Sequence, residues 1–101
     1  KYSYAALIFV DLQHDFIPGG AFEVDEGDQI IALINSFQEK FEHVIATQDF
    51  HPINHGSFAA NHAGKNPYDQ IELFGLNQTL WPVHCVQGTK GAEFHPDLNQ
   101  D

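Results

Sequence analysis

The chain has 101 residues, the size of a single domain, and 43% of them are hydrophobic, as in an ordinary globular protein. Fourteen acidic residues against four basic ones give a formal net charge of -10, which repels nucleic-acid phosphates and anionic lipids, so we expect neither as a partner. The longest apolar run, residues 5–10, is too short to cross a bilayer.

The first predicted element is a strand. Residues 4–10 form a continuous apolar run that ends at Asp11, the pattern of a strand buried on both faces of a parallel sheet. Pro18, Gly19 and Gly20 follow, and they predict a turn because glycine tolerates positive φ.

An amphipathic helix is predicted next, beginning near Asp28, with Asp25 or Asp28 available as its N-terminal cap. Its apolar positions recur at helical spacing. They are Ile30, Ile31, Leu33, Ile34, Phe37 and Phe41.

A second strand is predicted over residues 43–48, a short run with β-branched residues that ends at Asp49. Strand, helix and strand form a βαβ unit, whose two strands lie parallel. Asp11 and Asp49 should then lie at the same carboxyl edge of the sheet, where open parallel sheets bind ligands.

Beyond Phe50 the apolar residues show no regular spacing, except for a weak helical pattern over residues 69–80. An irregular segment of this length is typical of a functional region or of a site completed elsewhere. We therefore expect residues 50–101 to contribute to a site rather than to the regular sheet.

Two groups of residues in this pattern are suited to proton transfer or to metal binding. A carboxylate at a strand exit, such as Asp11, suits proton transfer, although it could equally cap a turn. Asp49 and His51 point the same way in an extended chain, and a carboxylate with two imidazoles suits zinc, iron(II) or manganese. Several of the seven histidines would be merely solvated in any case.

Cys85 is the only cysteine, so no internal disulfide can form and we expect a cytoplasmic protein. A neighbouring imidazolium can activate a thiol, and His84 precedes Cys85 directly. Adjacent residues of an extended chain point in opposite directions, however. We therefore expect His84 to face the site and Cys85 to be a small buried apolar residue.

Three ordered blocks of the sequence resemble the nicotinamidase/pyrazinamidase family of isochorismatase-like cysteine hydrolases. They are residues 6–16 with Gly19 and Gly20, residues 46–59, and residues 80–89 with residues 93–96. The resemblance implies an α/β fold of three layers built on a parallel sheet, of which this chain would hold only the N-terminal portion. Residues 1–101 would be the N-terminal part of a single isochorismatase-like hydrolase domain.

The resemblance also implies roles for individual residues. Asp11 would be the catalytic aspartate, and Phe16 and Trp81 the aromatic residues that sandwich a pyridine ring. A divalent metal, zinc before iron(II) or manganese(II), would be held by Asp49, His51 and His84, with His55 as a candidate fourth ligand.

The implied activity is hydrolysis of nicotinamide to nicotinate and ammonia through a cysteine thioester, within NAD salvage. Other small aromatic amides such as pyrazinamide would also fit, and the sequence is compatible with a homo-oligomer. The nucleophilic cysteine and a catalytic lysine are expected beyond residue 101, because Cys85, Lys65 and Lys90 do not match those positions.

Two alternatives remain open at this point. The chain could be a non-catalytic metal-binding half-domain if it truly ends at Asp101. It could also be a non-haem metal oxygenase, because the same short Asp-x-His motif supplies ligands in quite different folds. The block around Asp11 disfavours the oxygenase, which has no use for a catalytic aspartate there.

Overall fold

The computed structural model describes residues 1–100, which form a parallel strand pair, one helix and an antiparallel hairpin. The strands are β1 (Tyr2–Val10), β2 (Phe41–Thr47), β3 (Gln70–Leu73) and β4 (Leu76–Thr79), and the helix is α1 (Ile31–Gln38). Single turns of 3-10 helix cover His14–Phe16, Gly27–Ile30, Ala59–Asn61 and Lys90–Ala92. Within residues 1–100, no helix combines the length and the apolar character needed to cross a membrane.

The two parallel strands confirm the predicted βαβ unit. Leu7 pairs with Val44, Ile8 with Ile45 and Val10 with Thr47, so both strands end at the same edge of the sheet. The predicted place of Phe41 in the helix is wrong. The helix ends at Gln38 and Phe41 opens β2, where its ring packs 5.4 Å from that of Tyr2.

The prediction that the first strand is buried on both faces is wrong for the described residues. Of β1 only Phe9 is buried, whereas Tyr4, Ile8 and Val10 are largely exposed. The reason is that α1 packs on one face of the strand pair and nothing in residues 1–100 covers the other. The core on the covered face consists of Phe9, Leu12, Ile17, Ile31, Ile34 and Leu98.

The predicted aspartate cap of the helix is also wrong. A 3-10 turn at Gly27–Ile30 leads into α1, and neither element has a side-chain cap. Glu26, which precedes the 3-10 turn, has the left-handed φ of 59°, whereas a capping side chain requires an extended backbone at that position. Ile31 and Ile34 are the helix residues that reach the core.

Residues with positive φ form turns in two further segments of the chain. The predicted turn at Pro18 and Gly19 is confirmed, and Gly19 has a φ of 92°. The weak helical pattern over residues 69–80 is wrong, since β3 and β4 form a hairpin there. Phe74 and Gly75 connect the strands with φ of 50° and 83°, the two positive values of a type I′ turn.

Candidate metal centre and active site

Asp49, His51 and His84 form the one cluster in residues 1–100 whose ligand atoms could hold a metal ion together. The Oδ2 atom of Asp49 lies 3.5 Å from Nε2 of His51 and 3.6 Å from Nε2 of His84. Ligands about 2.0–2.1 Å from a tetrahedral zinc lie about 3.4 Å apart. The chemistry and the spacing of this donor set therefore fit a divalent metal.

Main-chain pairing brings the two histidine segments together. Asp49 and His51 follow the end of β2, and the N–H of His51 donates to the carbonyl of Cys85 over 2.9 Å. The N–H of Gln87 returns a bond of 2.8 Å to the carbonyl of His51. This short parallel bridge, between His51 and Val86, places His84 beside Asp49 although 35 residues separate them in the sequence.

The hydrogen bonding of His84 selects the tautomer that a metal needs. Its Nδ1 atom lies 2.7 Å from the carbonyl oxygen of Pro82. A carbonyl can only accept, so Nδ1 carries the proton, and in the neutral ring Nε2 keeps its lone pair. That lone pair belongs to the nitrogen nearest Asp49, and the ring itself is buried.

His55 is near the cluster but does not belong to it. Its ring lies 4.6 Å from that of His51, yet its Nδ1 atom accepts the N–H of Ser57 over 3.1 Å. A ring nitrogen that accepts an N–H has no proton, so in the neutral ring the proton is on Nε2. This geometry leaves His55 without the free lone pair that a fourth ligand must offer at Nε2.

Asp11 stands at the carboxyl edge of the sheet, as predicted. Its N–H donates to Thr47, the last residue of β2, and the Thr47 hydroxyl donates to its Oδ1 atom over 2.6 Å. Asp11 has a left-handed φ of 55°, which turns the chain away from the strand axis. Asp11 is half-buried, and only one of its two carboxylate oxygens, Oδ1, accepts a hydrogen bond from residues 1–100.

Aromatic side chains line the approach to His84. Phe16, predicted to bind a ring, lies 5.6 Å from the His84 ring. Phe22 was not predicted, and its ring is 5.0 Å from His84, 6.1 Å from Phe16 and 5.5 Å from Trp81. Tyr68, also not predicted, lies 6.0 Å from Trp81. Phe22 thus bridges the two aromatic residues that the sequence suggested.

Cys85 is fully buried, which confirms the prediction that it is a small core residue. The expected extended conformation is wrong, because Cys85 has a left-handed φ of 49°. Burial, followed by the charges of Asp15, Asp49 and Asp11, raises the pKa of its thiol to about 12. Of these three carboxylates, Asp15 contacts Cys85 directly, because its Oδ2 atom accepts the Cys85 N–H over 2.8 Å.

Known proteins resemble this chain over almost its whole length. A nicotinamidase of Acinetobacter baylyi is 54% identical over 94 residues, which are 93% of this chain and 44% of that protein. The chain therefore spans about half the length of the curated relatives it matches.

Two solved structures show the same fold. An Acinetobacter baumanii nicotinamidase pyrazinamidease superposes with a TM-score of 0.89 at 56% identity, over 97% of this chain and 46% of that one. A Pyrococcus horikoshii pyrazinamidase in complex with zinc gives a TM-score of 0.67 at 46% identity, over 95% of this chain and 47% of that one. The predicted isochorismatase-like α/β fold is confirmed for the part of it that this chain covers.

The sequence profile of the isochorismatase domain matches residues 5–101, which include most of β1, Asp11, the metal cluster and the aromatic residues. The chain belongs to the isochorismatase domain family.

Proposed function

We propose that residues 1–101 are the N-terminal part of a single nicotinamidase domain, which hydrolyses nicotinamide to nicotinate and ammonia. The convergence of Asp49, His51 and His84 within 4.8 Å of one another carries the proposal. The names of the relatives support it, since the curated proteins that match the chain are nicotinamidases. A cytoplasmic location belongs to the same proposal and is supported by Cys85, which is buried and forms no disulfide.

The metal would be held by Oδ2 of Asp49 and by the Nε2 atoms of His51 and His84. Zinc is the first candidate because mixed nitrogen and oxygen donors suit it, and because the related pyrazinamidase structure contains zinc. Iron(II) and manganese(II) fit the same donor set. When bound, such an ion supplies a Lewis acid to which the ring nitrogen of the amide substrate can bind.

The aromatic residues would hold and orient the ring of the substrate. Phe16 and Trp81 are the predicted ring-binding pair, and Phe22 joins them through contacts with both. Offset and edge-to-face contacts between rings stabilise such a complex beyond the burial of apolar area. A flat aromatic amide fits these surfaces better than an aliphatic one.

Asp11 would manage the proton. The Thr47 hydroxyl fixes its Oδ1 atom, and no hydrogen bond from residues 1–100 engages Oδ2, so this oxygen can take a proton from the nucleophile. As the carbon–sulfur bond of the thioester forms and the carbon–nitrogen bond breaks, that proton leaves with ammonia. Water then cleaves the thioester to give nicotinate.

The nucleophile of this scheme is expected beyond residue 101, together with a lysine. Cys85 does not fit the role, because it is fully buried and its pKa is raised to about 12. A thiol attacks as the thiolate, and this one remains protonated at neutral pH.

The test measures ammonia released by the full natural protein, loaded with zinc, from nicotinamide and from benzamide. Benzamide has the same carboxamide and a ring of similar size but no ring nitrogen. We expect turnover of nicotinamide and of pyrazinamide, and far slower turnover of benzamide. Absence of ammonia from nicotinamide, in a protein shown by mass to extend well beyond 11.3 kDa, would refute the proposal.

The burial of Cys85, the only thiol in the sequence, favours a second candidate for this chain alone, a non-catalytic metal-binding half-domain. Its signature is a natural chain with a mass near 11.3 kDa that binds zinc tightly and releases no ammonia. An oxygenase would instead consume oxygen and an oxo-acid, and the same preparations can be assayed for the consumption of each.

A further inference from the structure

Gln13 is a fully buried polar side chain just beyond the end of β1, with no exposed surface. Its Oε1 atom accepts the N–H of Asp49 over 2.9 Å, and its Nε2 atom donates to the carbonyl of Asp49 over 2.7 Å. The second proton of Nε2 goes to the carbonyl of Ala92, also over 2.7 Å. Both donors and the acceptor of this amide are therefore in use.

Two of the three bonds hold one residue, the aspartate of the metal cluster. A side-chain amide that pairs with both the N–H and the carbonyl of Asp49 fixes the orientation of that backbone, as a neighbouring strand would. The Asp49 carboxylate is attached to this backbone through one methylene group. Rotation of the backbone would change the distances of 3.5 Å and 3.6 Å that separate Oδ2 from the two histidines.

Asp15, two residues along the same segment, holds the other side of the cluster. Its Oδ2 atom accepts the N–H of Cys85 over 2.8 Å, and its Oδ1 atom accepts the N–H of Ala21 over 3.2 Å. Cys85 follows His84 directly, and its carbonyl accepts the N–H of His51. A carboxylate that accepts a main-chain N–H makes a strong, charge-assisted bond.

The surroundings of Asp15 are shaped for its carboxylate. Gly91 lies so close that a methyl group there would overlap both carboxylate oxygens. The segment itself is held in place by main-chain bonds, since the N–H of His14 donates to the carbonyl of Glu93 over 3.0 Å. The segment from Gln13 to Asp15 therefore contacts the backbone on both sides of the metal cluster.

We propose that Gln13 and Asp15 are positioning residues that set the spacing of the three metal ligands without touching the metal. Gln13 fixes the backbone of Asp49. Asp15 fixes the backbone of Cys85, which follows His84 in the chain and accepts the N–H of His51. Residues behind the ligands of a metal centre typically change metal affinity by about 10–100-fold when they are replaced. The inference rests on the metal centre of the proposed function, and its test does not depend on amide hydrolysis.

The first experiment compares Gln13→Met with Gln48→Met in the full natural protein. Gln48, which is exposed, provides a control for the shared partner, because its Nε2 atom donates to the same Ala92 carbonyl over 2.7 Å but makes no hydrogen bond to the Asp49 backbone. Zinc affinity is measured by competition with a chelator. We expect the zinc dissociation constant to rise about 10–100-fold for Gln13→Met and to stay unchanged for Gln48→Met.

A spectroscopic measurement separates positioning from a general loss of stability. With cobalt(II) in place of zinc, the visible absorption bands report the geometry of the ligands. We expect Gln13→Met to shift these bands. If Gln13 only stabilised the fold, its replacement would lower the thermal midpoint of the metal-free protein and leave the bands unchanged. Asp15→Asn, nearly equal in shape to the native residue, should act in the same direction and serves if Gln13→Met does not fold.

The outcomes separate this inference from the proposed function. If both variants bind zinc as tightly as the wild-type protein and show its cobalt spectrum, the positioning role is wrong while the metal centre stands. If the wild-type protein itself binds neither metal, the metal centre is wrong and the positioning role is wrong with it.

Discussion

At the scale of single residues, Cys85 has the most distinctive environment. Burial and the adjacent carboxylates raise its pKa to about 12, and its N–H is held by Asp15. A shift of about three pKa units lowers the thiolate fraction roughly a thousandfold at neutral pH. We therefore expect native Cys85 to resist iodoacetamide at pH 8 and to react readily in guanidinium, as measured by mass spectrometry of its peptide. Rapid labelling of the native protein would contradict this description of the site.

The ligand and the catalytic assignments can be separated by two substitutions. His51→Ala removes one of three donors, so we expect metal content and substrate binding to fall together. Asp11→Ala leaves the donors in place, so we expect full metal content with turnover abolished. Metal analysis and ammonia release from the same preparations provide the check. Full metal content in His51→Ala would disprove the proposed ligand set.

Sequence reasoning reached the residues of the site that carry recognisable chemistry. Asp49, His51 and His84 were named from residue type, spacing and resemblance, and the structure brings them together. It missed Phe22 and Tyr68, since an aromatic residue in a loop carries no periodic signal. It also missed the role of Gln13, because the value of a buried amide depends on partners 36 and 79 residues away.

At the scale of elements, the parallel pair was predictable and the hairpin was not. A hydrophobic run followed by a helix and a second run has few alternatives, which is why β1 and β2 were found with small errors at their ends. The β3–β4 hairpin depends on a turn in which Phe74 occupies a left-handed position, and phenylalanine gives no hint of such a turn. The apolar spacing there suggested a helix instead.

This turn leads to a prediction about stability. Phe74 is 95% exposed and has a φ of 50°, so its ring contributes little while its backbone is strained. Asparagine followed by glycine is the preferred pair for such a turn. We expect Phe74→Asn to stabilise the protein by about 0.5–1 kcal/mol and Phe74→Val, which is β-branched, to destabilise it. Urea unfolding measures both, and a loss of stability in Phe74→Asn would show that the ring has a partner.

At the scale of the whole molecule, residues 1–100 have an extended shape with one bare sheet face. The radius of gyration is 16.2 Å, whereas a compact domain of 100 residues has about 13 Å. Ile8 and Val10 lie on the exposed face of β1, with Ile45 of β2 beside Ile8. A contiguous apolar surface of this kind is normally covered. If the full domain has the three-layer fold that the resemblance implies, a second layer of helices would cover this face.

The exposed face of β1 leads to a prediction about stability that the exposure of single residues does not make. Ile8 is 57% exposed in β1, and Ile53, in a loop, is 64% exposed. Judged from residues 1–100 alone, a lysine should be tolerated equally well at both positions. If the rest of the domain covers the sheet, Ile8→Lys would bury an unpaired charge in the full natural protein and destabilise it by about 3–5 kcal/mol.

Ile53→Lys controls for the chemical change itself, and we expect it to alter stability by less than about 0.5 kcal/mol. Urea unfolding of the two variants beside the wild-type protein provides the comparison. A large difference between them would mean that the β1 face is buried in the complete domain. Equal effects would mean that this face stays open to solvent, and the proposal that residues 1–101 form part of a larger three-layer domain would be wrong.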